Sequence, residues 1–138
     1  MLSRAGKPDA AQVAQWLSLF ISPDQVTELR ALEVQQGNYR PCSIGGFFDG
    51  LHLQEMAQAA LRLSEQSRGV YFIPNPLQPA LLARCCNRVQ RAGQDDLAKD
   101  FHVIERRGLL VDCDANRPIS GISATQAEKE EARQVARA

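Results

Sequence analysis

The sequence has few lysines, no net charge and no long apolar run. Lysine occurs only at Lys7, Lys99 and Lys129; arginine supplies the rest of the 16 basic side chains, against 16 acidic ones. A formal net charge of zero excludes a mainly electrostatic nucleic-acid binder of the histone type, but leaves room for a local basic stripe. No apolar run approaches the ~18 residues of a membrane span. Met1 to Lys7 are not followed by the apolar core of a secretory signal, so the expectation is a cytoplasmic protein without a membrane partner. Cys42, Cys85, Cys86 and Cys113 make no C-x-x-C pair, and His52 and His102 stand at no zinc-like spacing. The thiols are therefore read as reduced. Nucleophile-elbow, P-loop and H-E-x-x-H motifs are also absent, which removes three common enzyme chemistries.

What is there suits a globular chain. With 138 residues, 44% of them hydrophobic and 23% charged, the sequence predicts a single domain over 1–138. Val13, Trp16, Leu17 and Phe20 recur with helical spacing, which predicts a helix from about Asp9 to Phe20 with Asp9 as its cap. Val26 to Val34 reads as a strand, with Val26, Glu28, Arg30 and Leu32 on one face. Gln35 to Asp49 reads as a loop anchored by Phe47 and Phe48. A second helix, capped by Asp49, runs from about Gly50 to Ser64 and presents Leu53, Met56, Ala60 and Leu63. Val70 to Ile73 is a short strand stopped by Pro74-Asn75-Pro76. A third helix is expected after Pro79, with Leu82, Cys85, Cys86 and Val89 inward and Arg84, Arg88 and Arg91 outward. Gly108 to Asp114 reads as the strongest strand. Ser123 with Gln126 matches a capping box for a polar terminal helix over 123–138. The order α-β-α-β-α-β-α predicts an α/β or α+β fold, a small sheet packed with helices.

The segment Leu109-Leu110-Val111-Asp112-Cys113-Asp114 carries the chemistry. Side chains alternate along a strand, so Asp112 and Asp114 share a face and Cys113 takes the other. Two such carboxylates suit a hard cation, Mg²⁺ or Mn²⁺, and also suit a strand end that satisfies loop N–H groups. Arg84, Arg88 and Arg91 suit phosphate contact or an ordinary solvated face. Arg106-Arg107 face a nucleotide or solvent; His52 reads as a cap or a solvent-facing group near Asp49, and His102 as a surface histidine. Asn75, between two prolines, is held rigidly and suits a turn or a pocket lip.

Several phrases, in order, resemble a known family: Trp16-Leu17-Ser18-Leu19-Phe20, Val26-Thr27-Glu28-Leu29-Arg30-Ala31-Leu32, Gly46-Phe47-Phe48-Asp49 and Gly69-Val70-Tyr71-Phe72-Ile73-Pro74-Asn75-Pro76. Leu81-Leu82-Ala83-Arg84 with Asn87-Arg88-Val89 follows, then Leu109 to Pro118 and Gly121-Ile122-Ser123-Ala124-Thr125. Together they resemble the N-terminal part of the bacterial, phage and plasmid primase-polymerases of the archaeo-eukaryotic primase superfamily. The resemblance implies metal-dependent nucleotidyl transfer in DNA replication, with Asp112 and Asp114 as catalytic metal ligands. Its substrates would be a nucleoside triphosphate and a DNA template; apart from the resemblance, the spacing of Arg84, Arg88 and Arg91 makes them the candidate nucleic-acid contacts. The family's second motif, of Ser-x-His type, and its third, another aspartate, are not among the 138 residues. The resemblance therefore implies a chain inactive alone, whose missing C-terminal half acts in cis or in trans. Two other readings stand beside it. One is a non-catalytic module that binds a nucleotide or a replication protein; the other is an unrelated D-x-D transferase.

Overall fold

The computed structural model describes residues 8–108, 112–116 and 121–138. Its elements are α1 (Ala10–Leu17), β1 (Val26–Val34), β2 (Cys42–Asp49), α2 (Leu53–Ser64), β3 (Gly69–Phe72), β4 (Gln90–Arg91) and α3 (Gln126–Arg137), with 3-10 turns at Pro79–Arg84 and Asp100–His102. The four strands form one antiparallel sheet in the order β3-β1-β2-β4. The class is α+β.

β1 is the centre because its alternation gives each face something to bury. Leu29 and Ala31 face α1 and α2, where they join Leu17, Ile21, Ile44, Phe48, Met56 and Ala57 in the larger core cluster. Val26 faces the other way, into a second cluster with Phe47, Leu77, Leu81 and Cys85. Phe48, fully buried, contributes about 2–3 kcal/mol by leaving water. Asp9 caps α1 as its sequence predicts: its Oδ1 accepts the Gln12 N–H at 2.8 Å. The helix ends at Leu17 rather than Phe20, and Trp16 and Phe20 remain largely exposed. In α2, Leu53, Met56, Ala57, Ala59 and Leu63 are buried.

Several expectations about elements need correction. The expected loop over Gln35 to Asp49 contains β2, paired with β1 from Val26↔Asp49 to Val34↔Cys42. The expected third helix is only the 3-10 turn Pro79–Arg84. Cys85 is extended, with φ −158° and ψ 82°, and Asn87 takes a left-handed φ of 51°. From there the backbone runs beside β2: Phe47 N–H donates to Cys85 O, and Asn87 N–H to Phe47 O. A helix would have used those groups internally, so edge pairing on β2 replaces it. Asp49 does not cap α2; His52 holds the cap position and makes no side-chain cap bond. The cap of α3 is Thr125 with Glu128, two residues beyond the Ser123–Gln126 pair. Residues 109–111 of the expected strand lie outside the described residues, and 112–114 have no strand pairing.

The chain divides into two compact units, Met1–Arg107 and Gly108–Ala138. The first holds the sheet, α1, α2 and both core clusters. The second holds 112–116 and α3. Among the described residues, no helix is long and apolar enough to cross a membrane.

Candidate functional site

Asp112 and Asp114 lie in the second unit and flank a half-buried Cys113, both of them exposed. Exposure alternates over these three residues, but none of them belongs to a strand. Neither carboxylate has a hydrogen-bond or ion-pair partner among the described residues. Asp114 lines a shallow hollow with Ala115, Ser123, Ala124 and Lys129. Cys113 and Ala115 border a second hollow with Lys129, Ala132 and Ala136 of α3. The donor set fits a hard divalent cation by type, since carboxylate oxygens are its usual ligands. It falls short by number: among the described residues, no group of three His, Cys, Asp or Glu side chains is gathered at one place.

Arg84, Arg88 and Arg91 do not form the helical stripe that their spacing suggests, because the helix is absent. All three are exposed, on three different local structures. Arg84 ends the 3-10 turn, and its Nη1 donates to Asp95 O at 3.3 Å. Arg88 lies in the turn beside β2, where its carbonyl accepts the Cys85 thiol. Arg91 is in β4, opposite Ile44.

A third constellation ties the end of β2 to the start of α2. Asp49 Oδ1 accepts the His52 Nδ1–H at 2.6 Å and the Leu51 N–H at 3.0 Å. Asn87 closes a reciprocal pair with Asp49: its Nδ2 donates to Oδ2 at 2.9 Å, and its Oδ1 accepts the Asp49 N–H at 3.0 Å. Partial burial pushes the Asp49 carboxyl up, but the bonds from Asn87, His52 and Leu51 outweigh it and hold the group below its ordinary value. The Asp49 bond raises His52 above its ordinary value. His52 is therefore more than a cap near Asp49; it is one arm of a three-residue clasp.

The fourth constellation was not read from the sequence. Glu28 is fully buried on the face of β1 away from the helices. Its Oε1 accepts Arg30 Nε–H at 3.2 Å, and its Oε2 accepts Arg30 Nη2–H at 2.8 Å and the Ala98 N–H at 3.0 Å. Arg30 Nη2 also donates to Ala98 O at 3.1 Å. Gly45, opposite Arg30 on β2, leaves room for this: a Cβ there would stand 2.8 Å from Leu97 Cδ2 and 3.6 Å from Glu28 Oε1. The pair floors a cleft of about 440 Å³, lined also by Tyr71, Asn75, Asp100 and Arg106. The signal in the sequence was Glu28 and Arg30 at i and i+2 of one strand face. Only the return of 97–106 across that face buries Glu28 beneath Arg30.

Comparisons with protein-family models, with curated proteins and with solved structures find no match. The chemistry of the chain thus rests on its own residues: an open carboxylate pair, a charged cleft and the clasp at Asp49.

Proposed function

We propose that the chain contributes the first pair of metal-binding carboxylates to a primase-polymerase type of nucleotidyl transfer. The observation that supports this reading is the pair Asp112 and Asp114, exposed and without protein partners among the described residues, on either side of a half-buried Cys113. In this reading the two side chains hold Mg²⁺ or Mn²⁺. The ion they would hold would supply electrostatic stabilisation of the negative charge of a triphosphate and of the attacking oxygen. DNA is the template, and the exposed Arg84, Arg88 and Arg91 offer it phosphate contacts. The 138 residues contain no Ser-x-His sequence. The triphosphate contact of that motif must then come from another polypeptide segment, in cis or in trans, and the 138 residues alone incorporate no nucleotide.

The test is a Mn²⁺ titration followed by NMR line broadening, with labelled-nucleotide incorporation as its companion. Broadening centred on Asp112 and Asp114, weak because further oxygen ligands are needed, is the expected result. Asp112→Asn with Asp114→Asn removes it and leaves the spectrum otherwise folded. With a polypeptide that carries the two other motifs, incorporation appears and is lost in Asp112→Ala. Broadening centred elsewhere, or robust incorporation by the 138 residues alone, overturns the reading.

A further inference from the structure

The Glu28–Arg30 pair is an odd thing to keep for stability. A buried carboxylate pays heavily for its lost water, and replacing a buried ion pair by apolar side chains is often neutral or stabilising. What the pair does achieve is orientation. Glu28 is fully buried, while the Arg30 side chain keeps about a third of its surface exposed, at 31%. Two of the guanidinium nitrogens are fixed by Glu28 and Ala98 O, and the planar fork is rigid. Nη1 is left with no protein acceptor among the described residues, on a residue that lines the cleft.

Other donors in the lining are likewise unmatched. Arg106 is exposed and has no protein partner among the described residues. Asn75 spends its Oδ1 on the Arg107 N–H at 3.0 Å, so its Nδ2 is available as a donor. Lys99 also lines the cleft but is held by Asp95 at 2.9 Å. The acids in the lining are Glu28, already neutralised by Arg30, and Asp100. Beside the cations stand flat and apolar surfaces: Tyr71, more than half exposed, with Phe72, Leu32 and Ile73. The volume, about 440 Å³, is that of a small-molecule site.

We propose that this cleft binds a small molecule carrying an oxyanion and a planar ring. Arg30 and Arg106 hold the oxyanion, a phosphate or a carboxylate, by charge-assisted hydrogen bonds. Asn75 Nδ2 adds a neutral one, and the ring lies against Tyr71. Glu28 is a positioning residue: it touches no ligand and aims Arg30. The site belongs entirely to the first compact unit and stands whether or not Asp112 and Asp114 hold a metal.

The experiment titrates the 138-residue protein with phenyl phosphate, with benzoate and with phenol, following backbone amide and arginine side-chain NMR signals. Saturable shifts centred on Arg30, Asn75 and Arg106, given by at least one anion and not by phenol, are expected. Phenyl phosphate acting alone identifies a phosphoryl ligand, and benzoate alone a carboxylate. Arg106→Ala weakens binding about tenfold, as loss of one charge-assisted bond would. Its spectrum stays folded because the side chain is exposed and has no partner among the described residues. Arg30→Lys keeps the charge beside Glu28 but loses the fork, and weakens binding further; should that variant fail to fold, Arg106→Ala decides the matter. No shift with either anion, equal shifts with phenol, or affinity unchanged by Arg106→Ala overturns the proposal.

Discussion

Asp49, His52 and Asn87 show how one carboxylate can organise a corner of the fold. Asp49 closes β2, and its side chain reaches forward to His52 and across to Asn87. Asn87 has a φ of 51°, a conformation that asparagine tolerates better than most side chains. The reciprocal pair with Asp49 fixes that turn, which sends the following backbone along β2. The bond to His52 makes the clasp depend on pH, with opposite signs for the two groups. His52 titrates above its ordinary 6.5 in the fold, so its stabilisation is complete below about 6.5 and disappears as pH rises through the folded value. Asp49 titrates below its ordinary 3.8, so its contribution is complete above about 3.8 and disappears as pH falls through the lower, folded value. The clasp therefore contributes fully between those two ordinary values. His52→Gln should cost more stability at about pH 5 than at about pH 8.5. Urea midpoints of both proteins across that range measure it, and a cost independent of pH would show that the ring charge plays no part.

Strands and helices differ in how much of them is written locally. β1 was legible to the residue because it is rich in β-branched and apolar side chains, although its alternation is imperfect and it is buried continuously from Val26 to Leu29. β2 was not, because Gly45 and Gly46 sit at its centre and glycine lowers the strand signal. The reason for Gly46 is tertiary: a Cβ there would stand 1.8 Å from Arg88 O, so the backbone of 86–89 passes where a side chain would be. The same approach explains the missing third helix. Leu82, Cys85, Cys86 and Val89 have helical spacing, yet the backbone beyond Cys85 bonds to Phe47 instead. For the candidate sites, the Asp112–Asp114 pattern was readable because it is local. The Glu28–Arg30 cleft was not, because Ala98, 70 residues away along the chain, completes it. Gly46→Ala should destabilise the protein by about 3 kcal/mol, since the methyl group meets backbone that cannot swing aside. Gly108→Ala, with nothing within 4 Å of the added atom, should change stability by less than about 0.5 kcal/mol. Denaturant midpoints compare the two; equal effects would mean that the strand and the 86–89 segment separate at little cost.

Over the whole molecule, burial is unevenly distributed. Among the described residues, the buried hydrophobic ones run from Leu17 to Cys85, and both clusters close within the first 103 residues. Their partners along the sequence are far apart: β1 pairs with β2 and β3, Thr27 Oγ1 donates to Ile73 O at 2.6 Å, and Gln25 Nε2 to Pro74 O at 2.9 Å. Such long-range pairing makes the sheet and its two helices one cooperative unit. α3 has no such support of its own, for it buries no residue. The Thr125–Glu128 capping box and the Glu130–Arg133 pair support it locally, Cys113 and Ala115 border its Lys129–Ala136 face, and a helix of 12 residues with so little burial is marginal in water. Exposed pairs of this kind contribute only a few tenths of a kcal/mol each. Amide hydrogen exchange should therefore separate the two units. Amides of Leu29, Ala31 and Phe48 should exchange only through global unfolding, while those of Gln126–Arg137 exchange at rates close to those of an unstructured peptide. A chain truncated after Arg107 retains both clusters, so it should unfold in a single urea transition with the β1–β2 amides still protected. Protection of α3 equal to that of β1 would show that the helix is stabilised by more than its own caps and ion pairs. Loss of a cooperative transition on truncation would show that the core needs residues beyond the two clusters.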